Sequence, residues 1–68
     1  MIQAATLITM CAKTHIVLCK QIMTLKRCQS MTAKMLADGY EPVEDFQPRI
    51  NEAYTNGDYV RAWKFTGL

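Results

Sequence analysis

The clearest regularity along the chain has a period of seven. Thr6, Lys13, Lys20, Arg27 and Lys34 recur at that interval, and on a helix it lines four cations along one stripe. The opposite side would collect Ala4, Ile8, Cys11, His15, Leu18, Ile22, Leu25, Ala33 and Leu36. These are separated mostly by threes and fours, the spacing of an amphipathic helix. Neither Pro nor Gly occurs before Gly39. Asp38-Gly39 then reads as a helix end, with Gly at the left-handed capping position. The pattern predicts a helix over 3–37. Gln29, Ser30 and Thr32 weaken its apolar face, so any break would fall near Ser30. Met10, Ile16, Val17, Met23 and Met31 lie off the main stripe, leaving a wide apolar face that asks for cover, by the tail or by a second copy.

The second half is punctuated differently. Gly39-Tyr40-Glu41-Pro42-Val43 reads as a helix exit into a short edge strand, where Pro is tolerated. Asn56-Gly57 is a favoured two-residue hairpin turn. Folding there pairs Tyr54 with Tyr59, Glu52 with Arg61 and Ile50 with Trp63 on one face, and Ala53 with Val60 and Asn51 with Ala62 on the other. The tail is therefore expected to form a hairpin, 49–55 with 58–65, and a third strand near 40–44. Gly57-Asp58-Tyr59 with Ala62 and Phe65 also resembles the turn and second-helix start of a tetratricopeptide repeat. That resemblance, with the helix-forming run Arg49-Ile50-Asn51-Glu52-Ala53 and Asp58 as an N-cap, would make the tail two short helices.

The fold expected is thus α+β: a long N-terminal amphipathic helix packed on a small antiparallel hairpin or three-stranded sheet. An all-α three-helix arrangement is the alternative. One small domain spans 1–68, with a basic helical region over 1–38 and an acidic tail over 39–68.

Size and charge turn attention to partners. At 68 residues, half of them apolar, the chain is near the lower limit for a self-sufficient core. Such chains usually carry an extra stabiliser, which here would be a partner chain. The net charge is only +2, but residues 1–37 hold five cations and no acid, while all six acids lie beyond them against Arg49, Arg61 and Lys64. The split, +5 and −3, would steer the chain to an acidic surface, or be satisfied inside the fold or between two copies packed head to tail. Three cysteines, all within the first 28 residues, do not make the even framework of a secreted mini-protein. Reduced thiols in a cytoplasmic setting are expected. The apolar-leaning Ile2–Ala12 run is too short for a membrane span, and Lys13, His15 and Lys20 break its continuation toward the C-terminus.

Catalytic parts are scarce. Cys11, His15 and Cys19 form C-x3-H-x3-C, but on a straight helix the two cysteines would stand ~12 Å apart along the axis, too far to share one ion. The expected reading is two buried thiols and a satisfied imidazole, with no metal. A Cys–His nucleophile would need an electropositive pocket and an oxyanion site, which a single helix face does not offer. Glu44 and Asp45 are adjacent acids that normally face solvent. Phosphate loops, dinucleotide turns and nucleophile elbows are absent from the sequence. No cofactor and no enzymatic activity are expected.

The basic stripe is the leading functional feature. Its members would lie ~10.5 Å apart on a helix, a spacing that suits an acidic protein groove or a run of phosphates. Few Arg, Asn or aromatic residues accompany the cations to read or stack on bases, so protein is preferred over nucleic acid as partner. The expected partner-binding residues are Lys13, Lys20, Arg27, Lys34, Tyr59 and Trp63. The expected core or dimer seam is Ile8, Cys11, Leu18, Ile22 and Leu25. The expected function is that of a small, self-associating, non-enzymatic binding protein: an adaptor, inhibitor or assembly subunit. Small modifier proteins of phages and mobile elements share this profile.

Overall fold

In the computed structural model, which describes residues 3–46 and 50–66, the first half of the chain is a β-hairpin followed by a short helix. The elements are β1 (Ala4–Cys11), β2 (Val17–Thr24), α1 (Leu25–Ala37), β3 (Glu41–Pro42), β4 (Glu52–Asn56) and β5 (Tyr59–Phe65). They form one five-stranded sheet in the order β2-β1-β5-β4-β3, antiparallel at every pairing. This overturns both the long N-terminal helix on a hairpin and the all-α alternative. The described residues are mostly sheet, with one helix of 13 residues.

Two physical causes defeat the helical reading of residues 3–24. The first is β1's central place in the sheet. Ala5, Thr6, Leu7 and Ile8 are all buried, because Ala5 and Leu7 face the helix while Ile8 and Met10 face the opposite side. A strand covered on both faces loses its two-residue alternation, and a helical period can then be fitted to it. The β-branched residues Thr6, Ile8, Thr9, Ile16, Val17, Ile22 and Thr24 favour the strand instead. The second cause is an unmarked turn. Residues 12–16 contain no Gly, Asn or Pro, yet the chain reverses there. His15 adopts φ 59°, its N–H donates to the Cys11 carbonyl at 2.8 Å, and the Cys11 N–H donates to the Ile16 carbonyl at 3.0 Å.

The helix that remains is well bounded. Thr24 caps it, its hydroxyl accepting from the Arg27 N–H at 3.2 Å, as an N-cap threonine does. At the other end Gly39 takes φ 91°. Its N–H donates to Leu36 and that of Tyr40 to Met35, the two bonds of a Schellman motif. Cys28 and Met35 are fully buried under the helix, with Leu25 and Met31 packed alongside, at the three-to-four spacing of an apolar stripe. Together with Ala5, Leu7, Tyr54 and Trp63 they form the main core.

The tail forms a hairpin in a register two residues away from the expected one. Asn56 pairs with Tyr59, Tyr54 with Arg61, Ala53 with Ala62 and Glu52 with Trp63. The loop is therefore Gly57-Asp58, with positive φ at Gly57 alone (56°), the type II′ arrangement. A shift of two leaves every side chain on its expected face, so Glu52, Tyr54, Arg61 and Trp63 share the helix side. The expected first strand began at Arg49, which lies outside the described residues, as does Pro48. Across the sheet, Phe46 packs against Ile8, Met10 and Val60 in a second, smaller cluster.

Candidate interaction edge on strand β2

The sheet has two edges, and the longer is β2. Among the described residues it pairs with β1 alone, and seven of its eight residues are exposed. Exposed apolar side chains run along it: Ile16 at 62%, Val17 at 42%, Leu18 at 55% and Ile22 at 76%. An exposed strand of this length presents a row of unpaired backbone donors and acceptors, a template for another strand.

The ladder fixes which backbone groups are free. The Leu25 N–H donates to the Gln3 carbonyl, and the Thr66 N–H donates to the Ala4 carbonyl. Residues 3, 5, 7 and 9 therefore turn toward β2 and residues 4, 6, 8 and 10 toward β5, since antiparallel pairs alternate. From the register Ala5↔Met23, Leu7↔Gln21 and Thr9↔Cys19, the inward groups on β2 belong to Met23, Gln21 and Cys19. Lys20 and Ile22 direct their N–H and C=O outward. The register shifts between Thr9 and Met10, where Cys19 and Val17 are the facing partners. Leu18 is the extra residue of this bulge, which confines the regular free edge to residues 19–24.

Charge along the edge is one-sided. Lys20 stands on β2 and no acid does. The strand then runs into a helix whose first turn holds Lys26 and Arg27 and no acidic residue. Cations beside the positive end of a helix dipole reinforce its field, so this end of β2 is electropositive. The heptad cations do not form a stripe. Lys13 lies in the β1–β2 turn, 3.7 Å from Asp58, Lys20 is on β2, and Arg27 and Lys34 are on α1. Tyr59 is half exposed on β5, whereas Trp63 is buried, its ring edge-on to Phe65. Of the expected seam, Ile8 is buried and Leu25 half-buried. Cys11 is intermediate, and Leu18 and Ile22 lie open on the β2 edge.

Away from this edge, Glu52 gathers a node of hydrogen bonds between helix and sheet. One Glu52 carboxylate oxygen accepts from Thr32 Oγ1 at 3.0 Å, Trp63 Nε1 at 3.1 Å and the Tyr54 hydroxyl at 3.3 Å. This node ties α1 to β4 and β5. Sequence reasoning missed it because Thr32 is 20 residues from Glu52. Burial, helped by the Glu52 charge and hydrogen bond, pushes the Tyr54 phenol up from its ordinary range. Burial also raises the Cys28 thiol. The Thr14 hydroxyl and the amides of Thr14 and Lys13 lower that of Cys11, against burial and the Asp58 charge. Among the described residues no three His, Cys, Asp or Glu side chains gather to hold a metal ion, and no helix is long and apolar enough to cross a membrane. Comparison with protein-family models, curated proteins and solved structures finds no match.

Proposed function

We propose that the protein acts by binding polypeptide, as an adaptor, inhibitor or assembly subunit, and that the edge of β2 is its working surface. One observation carries this reading: a strand of eight residues lies at the sheet edge, its outward amides at Lys20 and Ile22 have no strand partner among the described residues, and apolar side chains are exposed beside them. Strand addition uses such a surface, main-chain hydrogen bonds giving affinity and the flanking side chains giving preference. The electropositive end of β2 favours an incoming strand that is neutral or acidic there. The cations contribute locally, and the edge replaces the basic stripe as the contact surface.

Lys20→Pro tests this cleanly. The Lys20 N–H takes no part in the β1 ladder, so proline there removes an outward donor while keeping the sheet. Tagged wild-type and variant chains are each incubated with nuclease-treated lysate of the source cells. Polypeptide retained by the wild type and lost by the variant, with unchanged circular dichroism, is the expected result. Equal recovery by both contradicts the edge assignment. Recovery that requires intact nucleic acid moves the function to nucleic-acid binding.

A further inference from the structure

We propose that the helix-free face of the sheet binds a short amphipathic anion: a free carboxylate on a hydrocarbon body of about six to eight carbons. The site is a cavity of about 200 Å³. Ile8 and Met10 of β1 form its floor, and Phe46 and Ile50 line it from the segment between β3 and β4. Two cations, Lys20 and Lys64, also line it, and among the described residues no acid does. The site uses the Lys20 ammonium group and not the Lys20 N–H, so it stands apart from the reading of β2 as a docking edge.

The sheet register explains why two lysines meet here. Residues paired across strands point to the same face of a sheet. Lys20 pairs with Ile8 and Lys64 with Thr6. Thr6 and Ile8 are two apart on β1, so all four share the face away from α1. β2 and β5 flank β1. Two strand spacings across and two residues along set the lysine Cα atoms ~12 Å apart. Two flexible four-carbon stems then bring both ammonium groups to one anion between them.

Two observations choose the occupant. The first is charge. Lys64 is half-buried, and among the described residues neither lysine has a salt-bridge partner. Glu44 and Asp45 stand just before Phe46 but are exposed and do not line the cavity. Two cations beside an apolar cavity repel each other and lose hydration, and one anionic head relieves both costs. The second is what the cavity offers besides charge. An apolar cavity of about 150 Å³ holds a benzene ring, so this one takes a slightly larger group. Its floor strand is hydrogen-bonded on both sides and has no main-chain donors to spare for a peptide backbone. A small free acid needs none.

Octanoate is the probe, titrated into the full chain and followed by residue-resolved NMR shifts. Saturable binding at one site is expected, with shifts centred on Ile8, Met10 and Phe46. Octanol, which lacks the charge, and acetate, which lacks the hydrocarbon body, should each bind roughly tenfold more weakly or worse. Lys64→Met and Lys20→Met should each weaken octanoate about tenfold, and Lys64→Glu should abolish binding. Lys20→Met keeps the outward N–H of residue 20, which separates this site from the β2 edge. Val17, 42% exposed, also lines the cavity. Val17→Phe should therefore fill it and exclude octanoate, with circular dichroism unchanged. Octanol that binds as tightly as octanoate, shifts centred elsewhere, or affinity indifferent to both lysine substitutions overturns the proposal. So does a short leucine-ended peptide that outbinds octanoate as its free acid and not as its amide, since the ligand is then a polypeptide terminus.

Discussion

The two edges of the sheet are built in opposite ways. β3 is two residues long, acidic and closed by proline. The ladder shows how well that proline is placed. The Val43 N–H donates to the Ala53 carbonyl, and with the register Pro42↔Tyr54 and Glu41↔Thr55, alternation turns the Pro42 nitrogen outward. The position at which an incoming strand would seek a donor has none. On β2 the equivalent outward positions are Lys20 and Ile22, both with N–H, on a strand four times as long. β2 is guarded more lightly, by Lys20 and the bulge at Leu18, and keeps both of its outward donors.

Moving proline along β2 gives the largest expected effect. Gln21→Pro removes an inward N–H that bonds Leu7, leaves that carbonyl buried without a donor, and should cost about 2–3 kcal/mol of stability. Lys20→Pro, one residue away, should cost about 1 kcal/mol or less in the dilute chain. Urea unfolding of the two variants measures the difference, and equal losses would contradict the assignment of inward and outward amides. Next, Pro42→Val restores an outward donor at the guarded edge. It is worth about one hydrogen bond, of order 1 kcal/mol, per contact. Light scattering should show concentration-dependent species larger than those of the wild type, and an unchanged size distribution would mean that Pro42 is not the guard. The smallest effect concerns Tyr54, on the strand that backs β3. Its folded phenol titrates above the ordinary 10.0, so it contributes stability that is fully present below that pH and lost as pH rises through the folded value. Wild type should lose more stability than Tyr54→Phe between neutral pH and the alkaline range. Parallel decline of the two would remove Tyr54 as the cause.

The sequence marked some of these elements and concealed others, for identifiable reasons. Asp38-Gly39 announced the helix end because a left-handed cap needs a residue without Cβ strain, and Gly39 supplies it. Gly57 likewise marked the hairpin, although Asn56-Gly57 pointed to a loop one residue early and so to a register two residues off. Pro42 signalled an edge strand. The N-terminal hairpin left no such marks. Its turn at 12–16 relies on His15 in the left-handed region without Gly or Asn, and β1 is apolar on both faces, so the only periodicity left to read was a coincidental seven. Lys20, Leu18 and Ile22 were singled out from the sequence, but as parts of a stripe and a seam on one helix. Their membership of a free edge is a property of strand pairing and is invisible until the order β2-β1-β5-β4-β3 is known.

Amide hydrogen exchange resolved by residue, with and without the captured polypeptide, tests the central claim most directly. If β2 receives a strand, the amides of Gln21 and Met23 are protected throughout, while those of Lys20 and Ile22 exchange freely in the isolated chain and become protected when the polypeptide is bound. Lys20 and Ile22 amides that stay unprotected in the complex would contradict the β2 edge as the contact surface.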